Sequence, residues 1–303
     1  MDKDGFYYGR VMLEAMRVPA LVLAAFLVFT LAFAAAQPAT VTMTPGVVLA
    51  GAPQLIHVHA PGAQAVEGEW MERKIAFFRK GDDWFALAGV DVETPVGPST
   101  LRITVKRAGG GSEDLSRSVE IGEAHYRTEA ISVSSQFVEP PPEVAARIKA
   151  ESEFKAKVFA TSADERLWTG AFHAPVKAEA TDSFGTRRMF NGKLASVHKG
   201  ADFHAAMGTP VHAGNSGTVV IARPLYFEGN CVVIDHGLGL FTLYMHFSRI
   251  GVKEGQRVRT GDLLGLSGAT GRVTGPHLHW AVRWQGQYLD PIKLLRMDLS
   301  KIP

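Results

Sequence analysis

Eight of the eleven histidines fall within residues 171–303, and three short groups among them have spacings suited to metal-assisted hydrolysis. The first is His198-Lys199-Gly200-Ala201-Asp202, an imidazole and a carboxylate four residues apart. The second is Tyr244-Met245-His246, and the third is His277-Leu278-His279, which follows a loop with glycines at 271 and 275. Alternate residues of a strand share a face, so His277 and His279 project the same way. Leu278, Trp280, Val282 and Trp284 take the opposite face. Two histidines set against such a face are costly unless they have partners or a metal. By the same alternation Phe241, Leu243, Met245 and Phe247 face one way, and His246 faces the other with Thr242 and Tyr244.

A catalytic zinc commonly takes three protein ligands and keeps one position open for water. His198, Asp202 and one member of the His277/His279 pair would complete such a set. The other member and His246 would then be free for proton transfer, since imidazole titrates near about 6.5. Zinc brings the pKa of bound water toward about 7, which supplies a nucleophile without serine or cysteine. Cys231 is a poor rival, because it opens a β-branched run and reads as a buried, inert thiol. Each group alone is a weak signal. All three in one glycine-rich β region make a strong one.

The elements that must hold these residues are short strands. Residues 217–222, 231–235, 241–247 and 262–266 are apolar and β-branched, and Asp235–Gly239 is a turn between two of them. Ahead of them, residues 37–124 read as an all-β module, with runs at 55–59, 84–90 and 99–106. Leu101, Ile103 and Val105 alternate there with Arg102, Thr104 and Lys106, and the spacing suggests a small sandwich. His57 and His59 share a strand face in this module and could bind metal. With no third ligand following nearby, a half-exposed strand face is the favoured account. Residues 125–170 form a connector, in which Pro140-Pro141-Pro142 stops regular structure and 143–160 reads as a packed linker helix. The expected fold is mainly β: an N-terminal β-sandwich-like module at 37–124, the connector, and a glycine-rich antiparallel β domain at 171–303.

Residues 1–36 read as an export signal. Lys3, Arg10 and Arg17 precede the uncharged stretch 18–36, which ends in Ala34-Ala35-Ala36. The stretch is also long enough for a retained membrane anchor. Either way the rest of the chain is expected outside the cytoplasm, in the periplasm or cell envelope. No cysteine stands near the exit, which excludes a lipoprotein. The 303 residues suit one to three domains. The 32 Lys+Arg against 30 Asp+Glu give no electrostatic reason to expect nucleic acid. One cysteine excludes an intramolecular disulfide and any cysteine-rich zinc site.

Residues 184–290 resemble the lysostaphin/LytM-type zinc endopeptidases of peptidase family M23. The matching stretches are FGTRRMFNG, HKGADF, GTPVHAGNSGTVVIA, GNCVVIDHGLGLFTLYMHFSRI, VKEGQRVRTGDLLGLSGATGRVTGPHLHW and YLDP, in that order. FFRKGDDWFALAGVDV resembles, more loosely, the β module that precedes such domains in exported members. The resemblance implies one Zn2+ per chain on His198, Asp202 and His279, with His246 and His277 as non-ligand catalytic histidines. It also implies that the substrate is the peptide part of peptidoglycan, cut at cross-links or within stem peptides. Some members have lost their ligands and only regulate other wall hydrolases. All five positions are filled here, which argues against a wall-binding regulator. Phe247 stands where the family often has Leu, a conservative core change. His204, His212 and His236 read as rim or structural residues. Arg187, Arg188, Lys199 and Arg272 flank the motifs and could steer stem-peptide carboxylates.

Two other accounts fit less. Residues 252–265 with GNSGTVV resemble the strand repeat of biotinyl and lipoyl carrier domains, but those need a modified lysine at a hairpin tip, and no Met-Lys or Asp-Lys pair sits in the hairpins here. A chaperone or adhesin, suggested by the β module, leaves every histidine unexplained.

Overall fold

Strand alternation in residues 40–122 builds two sheets around a shared apolar layer. A computed structural model describes residues 37–130, 141–181, 183–190, 193–299 and 302. In it β1 (Thr40–Thr44), β3 (Pro53–His59), β7 (Asp83–Gly89) and β6 (Phe78–Lys80) form an antiparallel sheet in the order β1-β3-β7-β6. The second sheet has the order β2-β9-β8-β4-β5, from β2 (Val48–Leu49), β4 (Ala63–Trp70), β5 (Arg73–Ala76), β8 (Gly97–Arg107) and β9 (Ser112–Gly122). Ile56 and Val58 from one sheet and Trp70, Leu101, Ile103 and Val105 from the other are buried in one core. The export signal expected in residues 1–36 lies outside the described residues, as does Pro140. Among the described residues no helix is long and apolar enough to cross a membrane.

The connector contributes β10 (Thr128–Ala130) and helix α1 (Pro142–Phe159). Proline at the start suits α1, because the first turn has no partner for its N–H groups. β10 runs parallel to β11 (Arg187–Phe190), which pairs with β12 (Lys193–Val197).

A second large sheet carries the candidate site. Its order is β13-β21-β17-β16-β15-β19, with β22 beside β21. The strands are β13 (Ala201–Phe203), β15 (Gly217–Leu225), β16 (Gly229–Asp235), β17 (Leu240–Phe247), β19 (Arg257–Val258), β21 (Leu278–Trp284) and β22 (Gln287–Leu289). A small sheet of β14 (Pro210–His212), β20 (Leu263–Leu266) and β18 (Arg249–Ile250) adjoins it, and a short helix α2 (Pro291–Leu295) follows.

The large sheet is apolar on both faces. Tyr244, Leu278, Trp280, Val282 and Trp284 belong to the main core. Ile221, Val233, Phe241, Leu243 and Ala281 form a second cluster, which Phe154, Val158 and Phe159 of α1 cover. Helix α1 is therefore packed on the outer face of this sheet, as a linker that buries apolar surface. The N-terminal module is joined to the same body. Phe78 meets Trp168 edge-on at 5.9 Å, and Gly89 leaves room for the Leu289 side chain. The fold is mainly β throughout.

Candidate metal centre

Antiparallel pairing sets Asp202 on β13 directly opposite His279 on β21. His198 lies in the loop just before β13. Three donor atoms converge there. His279 Nδ1 is 2.9 Å from Asp202 Oδ1. His198 Nε2 is 3.2 Å from the same oxygen and 3.0 Å from His279 Nδ1. A tetrahedral zinc with bonds of about 2.0–2.1 Å holds its ligands about 3.3 Å apart, so a triangle of this size fits the ion. The donor set of two imidazoles and a carboxylate suits it as well. Among the described residues these three are the group whose donor atoms lie close enough together to hold a metal.

The surroundings fix each ring. The Ser183 carbonyl can only accept, so His198 Nδ1–H donates to it at 2.8 Å and Nε2 is left for the centre. Ser183 Oγ in turn bonds Thr181 Oγ1 at 2.6 Å and accepts from the Asp202 amide at 3.3 Å. Gly200 is required by close approach, since a Cβ there would lie 2.4 Å from His279 Nε2 and 2.7 Å from the Trp280 carbonyl oxygen. Orienting bonds of this kind tune a metal site through its ligands.

His246 and His277 complete the cluster, their ring centres 4.9 Å apart. His246 Nδ1–H donates to the Thr270 carbonyl and His277 Nδ1–H to the Gly275 carbonyl, both at 2.8 Å. Each ring therefore keeps Nε2 free, and His277 Nε2 lies 3.7 Å from Asp202 Oδ1.

Strand alternation assigned His246 to the side of Thr242 and Tyr244, and the structure corrects this. Tyr244 is opposite Trp280, on the face turned away from His279. The His246 ring nevertheless lies 6.1 Å from the His279 ring. The cause is a bulge. Asn230 pairs with Phe247 and Val232 with Tyr244, so β17 fits Met245 and His246 where β16 has only Cys231. His246 takes φ +67° at that point, and the phase of the strand changes. Phe247 consequently joins the core that holds Tyr244, while Met245 stays with Phe241 and Leu243.

Burial would raise the Asp202 carboxyl, but its bonds to His198 and His279 outweigh that and hold it well below the ordinary carboxylate range. Burial lowers His279. Burial, with the charges of His279 and His277, lowers His246 to about 3. Cys231 is buried, and its thiol is pushed far up by desolvation, as expected of an inert side chain.

The flanking cations differ in their engagements. Arg188 Nη2 stands 3.9 Å from Asp202 Oδ2. Arg272 lies over the Phe227 ring at 4.8 Å, and Arg187 is exposed. Lys199 is bound to Glu93 of the N-terminal module at 2.5 Å. His204 and His212 stand outside the ligand group. His236 is buried and bonded through both ring nitrogens, to the Ser216 carbonyl and Thr242 Oγ1, each at 2.7 Å. Sequence reasoning passed over Ser183, Gly200 and Thr270. For Gly200 the signal was its place between His198 and Asp202. Ser183 and Thr270 act through backbone carbonyls, which any residue type supplies.

The profile of Peptidase family M23 matches residues 196–291. The peptidoglycan DD-endopeptidase ShyA of Vibrio cholerae is 41% identical over 128 residues, which is 42% of this chain and 30% of that protein. The DD-carboxypeptidase/endopeptidase Mpg of Neisseria meningitidis is 42% identical over 98 residues, 32% of this chain and 23% of that protein. The chain thus spans less than a third of the length of these relatives. A crystal structure from Pseudomonas aeruginosa, assigned to peptidase M23, superposes with a TM-score of 0.65 at 27% identity and covers 82% of this chain and 94% of that one.

Proposed function

We propose that the chain, whose residues 196–291 match the profile of Peptidase family M23, is a zinc-dependent endopeptidase acting on peptidoglycan peptides, at cross-links or within stem peptides. The observation that carries this is the convergence of His198 Nε2, Asp202 Oδ1 and His279 Nδ1 within 2.9–3.2 Å, beside the paired rings of His246 and His277. Those three atoms would hold one zinc per chain. When bound, the ion supplies Lewis acidity for a peptide carbonyl and acidifies a water.

The protein's own groups do the rest. With Nδ1–H donated to a carbonyl, a neutral His246 or His277 ring presents a bare Nε2 that can accept a proton. One takes the proton of the attacking water. That ring, now protonated, passes the proton to the departing amine, and the other, when it holds a solvent proton on Nε2, donates a hydrogen bond to the developing oxyanion. The Thr270 and Gly275 carbonyls stabilise the imidazolium that forms, because each accepts its Nδ1–H. Of the flanking cations, Arg187 and Arg272 are exposed and would meet stem-peptide carboxylates, whereas Lys199 pairs with Glu93 and Arg188 with Asp202. The leader pattern of residues 1–36, together with the relatives' substrate, supports action outside the cytoplasm in the periplasm or cell envelope.

The test is digestion of purified sacculi by the chain, with released muropeptides read by mass spectrometry, before chelation, after it and after zinc is restored. Zinc-dependent loss of cross-linked dimers is expected, and the new termini name the bond. Full zinc occupancy with no cleavage would overturn the enzyme and favour a wall-binding regulator.

A further inference from the structure

The turn between β15 and β16 is held from two sides. Helix α1 holds one. Glu151 Oε2 accepts the Tyr226 amide at 2.7 Å, and Arg147 Nε donates to the other Glu151 oxygen at 2.7 Å. One helical turn on, Lys155 forms an ion pair with Glu228. The catalytic cluster holds the other side. The Glu228 carbonyl accepts the His246 amide at 3.0 Å, and the Phe227 carbonyl accepts the Arg272 amide at 2.8 Å. The Asn230 amide donates to Thr270 Oγ1 at 2.9 Å, and Gly229 packs so tightly that a Cβ would lie 2.3 Å from the Thr270 carbonyl oxygen. That same carbonyl accepts His246 Nδ1–H. Both anchors of His246, at its backbone and at its ring, therefore rest on one turn.

His246 needs them. A non-glycine residue at φ +67° persists only where its surroundings over-determine it. Glu228 is also precarious. Its side chain is only 14% exposed, and Oε2 is buried without a hydrogen bond among the described residues. A carboxylate in that setting stays in place only while a cation neutralises it. Without one it moves toward water and carries the turn with it.

We propose that α1, which lies outside the matched segment 196–291, is a working part of the site: Lys155 is a positioning residue that, through Glu228, holds His246 in its left-handed conformation. This rests on the reading of His246 as a proton-transfer group. The helix is then a support for the catalytic histidine rather than a lid.

The experiment uses the full chain loaded with zinc. Lys155→Met, Lys155→Arg and the double variant Lys155→Met/Glu228→Gln are compared with Glu254→Gln, which breaks the Arg223–Glu254 pair elsewhere on β15. Three quantities are read: bound zinc, kcat and KM on a cross-linked muropeptide dimer, and the amide and ring nitrogen signals of His246 in histidine-labelled protein. Lys155→Met is expected to shift both His246 signals and lower kcat by about 10-fold, with KM within about 2-fold and zinc unchanged. Lys155→Arg and the double variant, which leaves no buried charge alone, should restore both readouts. Glu254→Gln should move neither. His246 signals that stay put in Lys155→Met would overturn the proposal, as would equal losses in Lys155→Arg. Should Lys155→Met not fold, Lys155→Gln replaces it with the same expectations. If the unaltered chain cuts nothing, the endopeptidase reading fails, while the His246 signals still decide whether Lys155 positions it.

Discussion

In the N-terminal module His57 and His59 flank one residue on β3 and meet Asp83 on β7; in the C-terminal domain His277 and His279 flank one residue at the start of β21 and meet Asp202 on β13. The register is the same in both, with His59 opposite Asp83 and His279 opposite Asp202. So is the convergence on one oxygen. Asp83 Oδ1 is 2.8 Å from His57 Nε2 and 2.9 Å from His59 Nδ1. The surroundings differ. His57, His59 and Asp83 side chains are 35%, 45% and 39% exposed, against 22%, 11% and 22% for His277, His279 and Asp202. In the first group both imidazoles meet the carboxylate and stay open to solvent, and His57 stacks on Phe85. In the second, a loop histidine and a bulged histidine, both buried, add rings. The strand pattern supplies convergence. Burial and the extra rings are what turn convergence into a candidate centre.

The comparison can be broken most directly at His198, which has no counterpart in the N-terminal group. His198→Ala should weaken zinc binding by more than ~100-fold, measured as metal per chain after dialysis. Stoichiometric zinc in that protein would remove the distinction drawn here. His246→Ala and His277→Ala should each keep zinc and lower turnover by ~10²–10⁴-fold on cross-linked muropeptides. Turnover at the unaltered rate would take the residue out of the mechanism.

Acid should separate the two regions. Burial lowers His236 from 6.5 to about 4, so the folded domain resists a proton that the unfolded chain accepts. The stability His236 contributes is complete above pH 6.5 and is lost as pH falls through about 4, an effect on the order of 3 kcal/mol. Asp83 is held below its ordinary 3.8 by its bonds to His57 and His59, so its contribution persists until the pH falls below that value. Hydrogen exchange, corrected for intrinsic rates, should show β16 and β17 losing protection between pH 6.5 and 4 while β3 and β7 keep theirs. His236→Gln should remove most of that dependence. Simultaneous loss in both regions would count against it.

Gly200→Ala should cost ~10–100-fold in zinc affinity with every ligand intact, because the added Cβ displaces the His279 ring. An unchanged titration would show that the ring has room to move. The smallest effect belongs to the exposed group. His57→Ala with His59→Ala should leave one zinc per chain and turnover within about 2-fold, and shift stability by only about 0–1 kcal/mol. Loss of a zinc equivalent would make the module a second metal site and erase the contrast.

Much of this was legible in the linear chain because it depends on local periodicity. Alternation identified β8 and put His277 and His279 on one face. The Pro-led, Ala/Glu/Lys-rich run marked α1. The third member of the N-terminal group, Asp83, was missed because it lies 24 residues from His59 and meets it only through the β3–β7 register. Ser183, Thr270 and Glu228 were missed because each acts on a histidine through its carbonyl.

The sequence by itself determined the donor types, the shared face of His277 and His279, the spacing of His198 and Asp202, and a mainly β frame to hold them. Those follow from strand geometry and side-chain chemistry. Only the tertiary structure decided that His246 stands with His277 and His279. Alternation alone sends it to the opposite face, and an extra residue in β17 with φ +67° reverses that. A bulge of this kind depends on what the partner strand and the adjoining turn hold in place, and those contacts form between segments distant in the chain.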